Sequence, residues 1–423
     1  MQTHFTPERL SEPGMTEAES ILRACVHCGF CTATCPTYVT LGNELDSPRG
    51  RIALVKDMFE QGRPADAQVA LHLDRCLGCL ACATTCPSGV DYAHLLETAR
   101  AHVEATYRRP LPDRALRAAL AAILTRPTVF RLALVAARIA RPFARLLPQA
   151  SPLAAMLRLS PQRLPHPQNQ TASPQAQRKV VLLQGCAQSV LDPGINAAAI
   201  RLLARAGVQV VTVPQEGCCG ALPQHMGRVE QARALARQNI TLWSAHLEAG
   251  AEAILTTTSG CGTSVKDWGH LFTGDALQGQ AARIAAHTQD ITEYLARLPL
   301  PAPRALPPLS VAYHSACSLQ HGQKITDLPK ALLKAAGFTV VEPAESHLCC
   351  GSAGTYNLLQ PQIAGQLGQR KAANLLRTGA DVVAAGNIGC QTQIAAHTGL
   401  PVLHTAELLD WAYGGPRPAA LPE

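Results

Sequence analysis

Aromatic residues are scarce in this chain of 423 residues: Phe, Trp and Tyr together make up 4%. Proteins that bind single-stranded nucleic acid without sequence preference stack its bases on aromatic side chains, so nucleic acid is not an expected partner. Charged residues are also few, at 16%, whereas hydrophobic residues make up 47%. That balance is typical of a globular protein with packed cores, and the length is enough for two or three domains.

Long apolar runs are missing as well. A membrane-spanning helix needs about 20 mainly apolar residues, and the best candidate, VFRLALVAARIARPFARLL, is interrupted by Arg131, Arg138 and Arg141. The opening residues also lack the apolar segment of a secretory signal. We therefore expect a protein of the cytoplasm, and attachment to the inner face of the cytoplasmic membrane is the alternative.

Cysteine, by contrast, is abundant, with sixteen residues. In a cysteine-rich protein that is not exported, the thiols bind metal more often than they form disulfides. Eight of them lie in two runs, CVHCGFCTATCP from Cys25 and CLGCLACATTCP from Cys76. Both runs have the spacing C-x₂-C-x₂-C-x₃-C-P. In two-cluster ferredoxins this spacing holds [4Fe–4S] clusters, and the fourth cysteine of each run binds the cluster of the other.

This spacing predicts two [4Fe–4S] clusters. Cluster 1 is assigned to Cys25, Cys28, Cys31 and Cys86, and cluster 2 to Cys76, Cys79, Cys82 and Cys35. Zinc is the alternative, because C-x₂-C pairs also bind zinc, although zinc sites rarely add a third cysteine at the same step. Two such clusters carry electrons singly and leave no place for a substrate to react, so no catalytic residue is assigned.

The residues around these runs predict helices. SPRGRIALVKDMFEQG offers Ser47 as an N-cap and Gly62 at the end, and a second helix is expected in YAHLLETARAHVEATY. The expected fold of residues 1–107 is therefore an α-helical ferredoxin domain with two [4Fe–4S] clusters. Arg49 and Arg51, at the start of the first helix, either offset the negative charge of a cluster or face solvent.

The other eight cysteines form two sets of four: Cys186, Cys218, Cys219 and Cys261, then Cys317, Cys349, Cys350 and Cys390. Counterparts are 131, 131 and 129 residues apart (317 − 186, 349 − 218 and 390 − 261). Neighbouring words match too, such as GCCGA with LCCGS and LLARAGVQVVTVP with LLKAAGFTVVEPA. The pattern indicates an internal duplication.

Each repeat alternates predicted strands with predicted helices. Buried strands are expected in KVVLLQGC and LSVAYHSAC, and later ones in AEAILTTTSGC and ADVVAAGNIGC. This predicts an α/β repeat with a parallel sheet, and places all eight cysteines just past the carboxyl ends of strands, where such sheets build their sites. Each set is a candidate site for a further iron–sulfur cluster or for zinc, and buried unligated cysteine is the third interpretation. For the nearby His314, His321 and His347, a structural or surface role is favoured over ligation.

A basic segment joins the two parts of the chain. Between Arg108 and Arg145 it holds nine arginines and one acid, Asp113, with apolar residues at roughly helical spacing. It either packs between the domains or lies on an anionic membrane surface or a partner subunit. The predicted organisation is a helical ferredoxin domain at 1–107, a basic helical connector at 108–150, a Pro/Gln-rich linker at 151–178, and Cys-Cys-Gly α/β repeats at 179–300 and 309–415.

Together these motifs resemble a known family. A two-cluster ferredoxin joined to a duplicated Cys…Cys-Cys-Gly domain is similar to redox subunits related to heterodisulfide reductase. The longer words ILRACVHCGFCTATCPTY, LDRCLGCLACATTCPSGV and SHLCCGSAGTYNLL resemble the glycolate oxidase iron–sulfur subunits in that group, and the likeness extends from Ile21 to Leu409. Relatives often carry a fifth cysteine, as C-x-x-C, in the last motif of the repeat. This chain has Ser264 and Gln393 there, which favours a conventional four-cysteine site over an unusual cluster or disulfide chemistry.

The resemblance implies an electron-transfer subunit of a bacterial complex that oxidises glycolate to glyoxylate. Its implied partners are an FAD-containing glycolate-oxidising subunit and a further flavoprotein-like subunit, with electrons passing towards quinone and the respiratory chain. The chain itself shows no glycine fingerprint for flavin or nicotinamide, which agrees with a separate flavoprotein. The alternatives are the same subunit of a glycerol-3-phosphate or lactate dehydrogenase complex, and a quinone or disulfide reductase that acts at the duplicated domain.

Overall fold

The structure is a computed structural model that describes residues 1–148, 151–161, 165 and 176–421. The N-terminal part is built from eight α-helices and a short 3₁₀ turn at Glu44–Asp46. The helices are α1 Pro7–Leu10, α2 Met15–Ala24, α3 Phe30–Thr34, α4 Pro36–Leu41, α5 Pro48–Glu60, α6 Ala67–Asp74, α7 Ala81–Thr85 and α8 Tyr92–Thr106.

The two helices predicted in this part are α5 and α8. The Ser47 hydroxyl accepts a hydrogen bond from the Gly50 N–H at 3.0 Å, which is the expected N-cap of α5. Asp91 caps α8 in the same way. The apolar faces of α2, α5, α6 and α8 enclose one core, and the cysteine runs form the loops and short helices at its edge.

The connector consists of α9 Leu111–Ile123, α10 Pro127–Ala140 and a 3₁₀ helix at Arg141–Leu146. A further helix, α11 Pro152–Leu159, occupies the start of the segment expected to be a linker. It begins there because Ser151 caps the N–H of Ala154 and Pro152 suits the first helical position. Residues 149–150 of the expected connector and residues 162–164 and 166–175 of the expected linker lie outside the described residues.

The connector has a buried polar anchor and an exposed apolar face. Arg109 and Arg117 are buried and form ion pairs with Asp74 of α6, with Arg117 Nη2 at 2.9 Å from Asp74 Oδ2. Leu132 and Ile139 of α10, by contrast, are exposed by 70% and 73%. In the described part of the chain no helix alone is long and apolar enough to cross a membrane. Only α9 and α10 taken together, with a bend of 119°, have the length and composition.

The first repeat is a four-stranded parallel sheet with the strand order β2-β1-β3-β4. Its strands are β1 Arg178–Leu182, β2 Val208–Val211, β3 Ala253–Thr256 and β4 Thr288–Asp290. Its helices are α12 Gln188–Leu191, α13 Gly194–Arg205, α14 Ala221–His225, α15 Val229–Glu248, α16 Ser259–Lys266, α17 Trp268–Leu271, α18 Gln278–His287 and α19 Ile291–Leu295.

The second repeat has the same order, β6-β5-β7-β8, and is also parallel throughout. Its strands are β5 Ser310–His314, β6 Thr339–Val341, β7 Val382–Ala385 and β8 Val402–His404. Its helices are a π-helix at Ser318–Gly322, α20 Leu328–Ala335, α21 Tyr356–Leu359, α22 Pro361–Leu376, α23 Ile388–Ala395 and α24 Thr405–Ala412. The matching orders confirm the predicted duplication and the predicted parallel sheets.

The two repeats share one hydrophobic core. One face of each sheet, including Leu182 and Tyr313, packs against helices α13, α19, α20 and α24. Asp410 on α24 is 1% exposed and accepts hydrogen bonds from the partly exposed Arg201 and Arg205 on α13, so two ion pairs also join the repeats. The sheets are thus fixed relative to one another, and the loops at their carboxyl edges meet.

Candidate metal centres

The cysteines of the two N-terminal runs line two neighbouring cavities. One cavity is lined by Cys25, Cys28, Cys31 and Cys86, the predicted cluster 1 set, and the other by Cys35, Cys76, Cys79 and Cys82, the predicted cluster 2 set. Cys82 lines both cavities. The fourth cysteine of each run therefore lies with the first three cysteines of the other run.

The two runs wind in the same way. His27 and Gly29 in the first run have positive φ angles of 57° and 83°, and Gly78 and Leu80 at the matching positions of the second run have 64° and 63°. Residues other than glycine rarely adopt this conformation. Both runs adopt the positive-φ conformation at the same two positions. Each run therefore turns twice, and its three successive thiols face one cavity.

Arg51 is the main positive charge between the runs. It is 1% exposed, and its guanidinium lies 3.9 Å from Cys35 Sγ, 3.0 Å from Thr37 Oγ1 and 3.5 Å from Asp46 Oδ1. Burial opposes ionisation of Cys76, but Arg51 and Arg100 outweigh it and lower the pKa of that thiol. Of the two arginines considered for charge compensation, Arg51 is thus the buried one.

Arg49 has a more exposed position than Arg51. It lines the cavity of Cys25 and pairs with Glu44, with its Nε 2.5 Å from Oε1. Its side chain is 34% exposed. In the same cavity burial raises the pKa of Cys31 to about 11. A bound cation is therefore needed to hold that thiol as a thiolate near neutral pH.

The four thiols of the first repeat are brought together by three loops. Cys186 follows β1, Cys218 and Cys219 follow β2, and Cys261 is the third residue of α16. Cys186 Sγ lies 3.3 Å from Cys218 Sγ, and Cys219 contacts both Cys218 and Cys261. Asn239 on α15 fixes the double-cysteine loop, because its side chain accepts from the Gly217 N–H and donates to the Cys218 carbonyl.

The second repeat assembles its four thiols in the same way. Cys317 Sγ lies 3.6 Å from Cys349 Sγ, and Cys350 contacts Cys349 and Cys390. Cys390 is the third residue of α23, which Asn387 caps. Both Cys261 and Cys390 thus lie in the first turn of a helix rather than at the end of a strand. In α23 the Asn387 side chain accepts from the N–H groups of Gly389 and Cys390 in that turn.

The positions that replace a fifth cysteine are committed to hydrogen bonds within the protein. Ser264 Oγ donates to Gln224 Oε1 at 3.2 Å. Gln393 accepts from Asn357 Nδ2 at 3.1 Å and donates to the Ala364 carbonyl at 2.9 Å. These partners direct neither side chain to a metal.

The three histidines considered as extra ligands have different surroundings. His321 contacts Thr84 Oγ1 at 2.7 Å and the His347 carbonyl at 3.1 Å, so both its ring nitrogens have partners. His347 is partly exposed, in agreement with a surface role. His314 is 1% exposed, and no described residue is a hydrogen-bond partner of either ring nitrogen. Its nitrogen and the sulfurs of Cys350 and Cys390 all lie within 4.8 Å of one another.

The ferredoxin part and the second repeat meet at their cysteines. Cys79, Cys317 and Cys349 share a small core with Leu77 and Tyr356. The Tyr356 hydroxyl reaches across this contact and donates to a carbonyl of the loop before Cys76, at 3.0 Å. The cluster 2 cysteines therefore lie next to the thiols of the second repeat.

A larger cavity adjoins the thiols of the first repeat. It has a volume of about 390 Å³, and its walls include all four of those thiols. Its other walls are mainly apolar side chains of the connector, such as Leu120, Leu124, Phe130 and Leu134. Cavities of this size and character are those that bind small organic molecules.

The arrangement of the cysteines fits the binding of iron–sulfur clusters. All sixteen cysteines are free of disulfides and lie in the described part of the chain. They are grouped in fours, most are buried, and no apolar packing requirement explains such grouping. Thiolates are the ligands that iron–sulfur clusters and zinc prefer.

Comparison with known proteins decides the family. Residues 21–90 match the family profile described as "4Fe-4S dicluster domain", and residues 180–266 and 311–395 match the profile "Cysteine-rich domain". The glycolate oxidase iron–sulfur subunit of Escherichia coli is 44% identical to this chain over 97% of the chain and 99% of its own length. The chain belongs to the family of glycolate oxidase iron–sulfur subunits.

Two further relatives match at lower identity. The probable glycolate oxidase iron–sulfur subunit of Bacillus subtilis is 32% identical, and the match covers 89% of each chain. Lactate utilization protein A of Exiguobacterium is 28% identical over 55% of this chain and 96% of its own length. As a member of the glycolate oxidase iron–sulfur subunits, the chain is an electron-transfer subunit of an oxidoreductase that works with other subunits, as the resemblance predicted.

Sequence reasoning missed several residues around the thiols. Tyr92 donates to Cys76 Sγ at 3.7 Å, and Arg100 donates to the Cys76 carbonyl at 2.5 Å. In the second repeat Lys371 is 2% exposed and donates to the Glu345 carbonyl at 2.7 Å. Lys371 on α22 matches Asn239 on α15, because both hold the loop that precedes the double cysteine. No motif marks these side chains, since each acts through a contact between distant segments.

Proposed function

We propose that this chain is the iron–sulfur subunit of a flavin-dependent complex that oxidises glycolate to glyoxylate. The observation that carries the proposal is the near full-length match to glycolate oxidase iron–sulfur subunits, combined with two groups of thiols that line shared cavities and two whose thiols are in contact. When bound, iron–sulfur clusters accept and donate one electron at a time. The chain would carry electrons from the flavoprotein towards the respiratory chain, and it would not oxidise glycolate by itself.

The ligand sets proposed for the N-terminal part are those predicted from the spacing. Cluster 1 would be held by Cys25, Cys28, Cys31 and Cys86, and cluster 2 by Cys76, Cys79, Cys82 and Cys35. The two cavities support these sets, because each is lined by all four members. The helices that surround them support a helical two-cluster ferredoxin within residues 1–107, followed by the connector and the repeats at 179–300 and 309–415.

Each repeat would hold one further metal centre, in the first through Cys186, Cys218, Cys219 and Cys261 and in the second through Cys317, Cys349, Cys350 and Cys390. Sulfur–sulfur distances of 3.3 Å and 3.6 Å support this, because two thiolates bound to one tetrahedral ion at about 2.3 Å lie roughly 3.8 Å apart. Iron–sulfur clusters suit a chain that carries electrons; zinc would make the repeats structural.

The partners proposed are an FAD-containing subunit that oxidises glycolate and a second flavoprotein-like subunit. The final acceptor proposed is a quinone, reached at the membrane surface. The apolar cavity beside the first-repeat thiols supports an apolar acceptor. The exposed Leu132 and Ile139, together with the nearby Arg131 and Arg138, support contact of α10 with an anionic membrane.

A Cys79→Ser variant in the assembled complex tests the electron-transfer role. We expect it to lose the iron of one cluster and to stop glycolate-dependent reduction of quinone, because a serine oxygen is a poor ligand for iron. The flavoprotein should still reduce an artificial dye at its usual rate. Ala33→Ser, at an exposed position of α3 that lines neither cavity, serves as the matched control and should change neither rate. Loss of dye reduction by the flavoprotein in Cys79→Ser would contradict the proposal.

Anaerobic analysis of iron, sulfide and zinc in the isolated chain tests the occupancy of the repeats. About eight irons per chain would correspond to the two ferredoxin clusters alone. A higher iron content, with extra EPR signals after reduction, would extend the redox centres into the repeats. Zinc in place of the extra iron would favour a structural role for them.

A further inference from the structure

The second repeat contains a buried imidazole for which the cysteine pattern does not account. His314 closes strand β5 and is 1% exposed, and its two ring nitrogens have no hydrogen-bond partner among the described residues. Native proteins rarely keep a buried polar group without a partner unless a function or an unseen ligand requires it. The register of β5 with β7 pairs His314 with Ala385, so the ring lies at the strand edge that leads to Cys390.

A metal ion that is bound jointly with the neighbouring thiols would give this imidazole a partner. One nitrogen of His314 and the sulfurs of Cys350 and Cys390 lie within 4.8 Å of one another. Metal–nitrogen and metal–sulfur bonds of roughly 2.0–2.3 Å place two ligand atoms of one ion about 3–4 Å apart. Small side-chain adjustments therefore bring all three atoms into one coordination sphere. All three residues are buried.

The first repeat has no imidazole at the matching position. The offset of 131 residues between Cys186 and Cys317 aligns His314 with Leu183. Leu183 is 3% exposed and packs in an apolar core that includes Cys186 and Cys219. The two repeats therefore share a fold and a thiol pattern but differ in the donor atoms that they offer.

We propose that His314 is a nitrogen ligand of the metal centre in the second repeat, together with Cys350 and Cys390. This centre then has mixed imidazole and thiolate ligation, whereas the centre of the first repeat has thiolates only. The inference rests on the proposed function, in which each repeat binds metal. One of Cys317 and Cys349, on the side that faces Cys79 of the ferredoxin part, completes the set of four, so the imidazole takes the place of one of the four thiolates.

The donor set has a chemical consequence. A neutral imidazole in place of a thiolate removes one negative charge from the centre, and in iron–sulfur proteins that exchange raises the reduction potential. The centre of the second repeat is therefore more easily reduced than an all-thiolate centre in the same surroundings. Its position beside the cluster 2 cysteines makes it suited to accept electrons from the ferredoxin part.

The test uses the full-length chain labelled with ¹⁵N-histidine and purified without oxygen. Pulsed EPR of the reduced protein detects a histidine nitrogen bound to an iron–sulfur cluster, and zinc-edge X-ray absorption detects a zinc–nitrogen bond if zinc is the metal. We expect one of these signals in the unmodified chain and its loss in His314→Leu. That variant carries the side chain that the first repeat accommodates at Leu183. The matched control is His347→Leu, in the loop that leads to Cys349 and Cys350, and it should keep the nitrogen signal.

A second variant covers the case in which His314→Leu does not fold. His314→Cys should keep the metal content, lose the nitrogen signal and lower the midpoint potential of one centre in a redox titration. A nitrogen signal that persists in either variant would overturn the proposal. The proposal would also be overturned if the unmodified chain gave no nitrogen signal while Cys350→Ser lost metal, because that loss shows that the second repeat binds metal.

Two outcomes separate this inference from its premise. Unchanged metal content in Cys350→Ser would show that the second repeat binds no metal, which overturns both the inference and that part of the proposed function. Glycolate-dependent electron transfer by the assembled complex is a separate measurement. A different substrate for the partner flavoprotein would therefore leave the histidine-nitrogen result as it stands.

Discussion

Arg51 illustrates how one side chain can prepare a site for negative charge. Its guanidinium is enclosed between the two cysteine runs, where it contacts Thr37, Asp46 and the carbonyl of His72. Asp46 is itself fully buried and also binds Arg75 and His72. This network ties the 3₁₀ turn at Glu44–Asp46 to helices α5 and α6, and so fixes the distance between the runs.

Replacing Arg51 with Met should destabilise the N-terminal part and lower its iron content. Removing one partner of a buried ion pair leaves the other charge uncompensated and typically costs about 3–5 kcal/mol. Arg49→Met is the matched control on the same helix, because the pair of Arg49 and Glu44 is partly exposed and such pairs contribute about 0–1 kcal/mol. Anaerobic urea unfolding and iron content measure both effects. Equal stability of the two variants would contradict the role given to Arg51.

At the scale of elements, the Cys-Cys-Gly loops depend on close packing against a helix. Gly351 has φ of +91°, and a Cβ there would lie 2.7 Å from the Ala364 carbonyl oxygen of α22. Gly220 in the first repeat has φ of +88° and a corresponding distance of 2.8 Å to the Ala232 carbonyl oxygen of α15. The glycine in each motif thus lets the double-cysteine loop lie directly on the helix backbone.

Gly351→Ala should therefore both destabilise the chain and displace the neighbouring Cys350. The left-handed conformation alone costs roughly 1–2 kcal/mol for a residue with a Cβ, and the contact with α22 adds to it. Gly337→Ala separates the two effects, because Gly337 has φ of +93° with nothing within 4 Å of the added Cβ. Thermal unfolding and metal content are the measurements. Loss of metal in both variants would show that backbone strain, and not the contact, is responsible.

The elements themselves could largely be predicted from the sequence. The long apolar strands, the capped helix after Ser47 and the 131-residue offset each carry a local signal, and the structure contains what they predict. The short strands β4 and β8 were not predicted, because three residues such as Thr288–Asp290 show no periodicity. Helix α11 was not predicted because its surroundings are rich in Pro and Gln.

The site was only partly predictable, for a different reason. Cysteine spacing is a local pattern, so the membership of each thiol set could be proposed from it. The roles of Lys371 and His314, and the enclosure of Arg51 between the two runs, depend on which distant segments meet, and no spacing records that. The one available signal for His314 was its alignment with Leu183, since an imidazole that replaces a leucine in a buried strand needs a partner.

At the scale of the whole molecule, a cluster of charges joins the ferredoxin part to the first repeat. His94 on α8 lies 2.6 Å from Asp91 and 3.0 Å from Asp267, and it stacks on His270 at 3.6 Å. Burial alone would lower the pKa of His94, but the hydrogen bonds to Asp267 and Asp91 raise it to about 10. Nearby, burial and Asp267 raise the pKa of Glu97 to about 7.

Both shifts predict that this junction weakens as the pH rises. A group whose folded pKa is raised stabilises the protein below its unfolded pKa and loses that effect as the pH passes through the folded value. For His94 the window runs from about 6.5 to about 10. Urea midpoints measured across this range should fall for the unmodified chain and change less for His94→Gln. His102→Gln, on the same helix but bonded to the Arg63 carbonyl, should keep the full slope; equal slopes in all three would contradict the prediction.

The exchange of fourth cysteines between the two N-terminal runs has a consequence for biosynthesis. Cys86 lines the cavity of Cys25, and Cys35 lines the cavity of Cys76, although 61 and 41 residues (86 − 25 and 76 − 35) separate them in the chain. While a ribosome is still synthesising residue 75, neither cavity has its full set of thiols. With the ligand sets proposed above, delivery of iron and sulfide by the assembly machinery would wait until both runs have emerged and folded together, and a nascent chain arrested between them would be a poor acceptor.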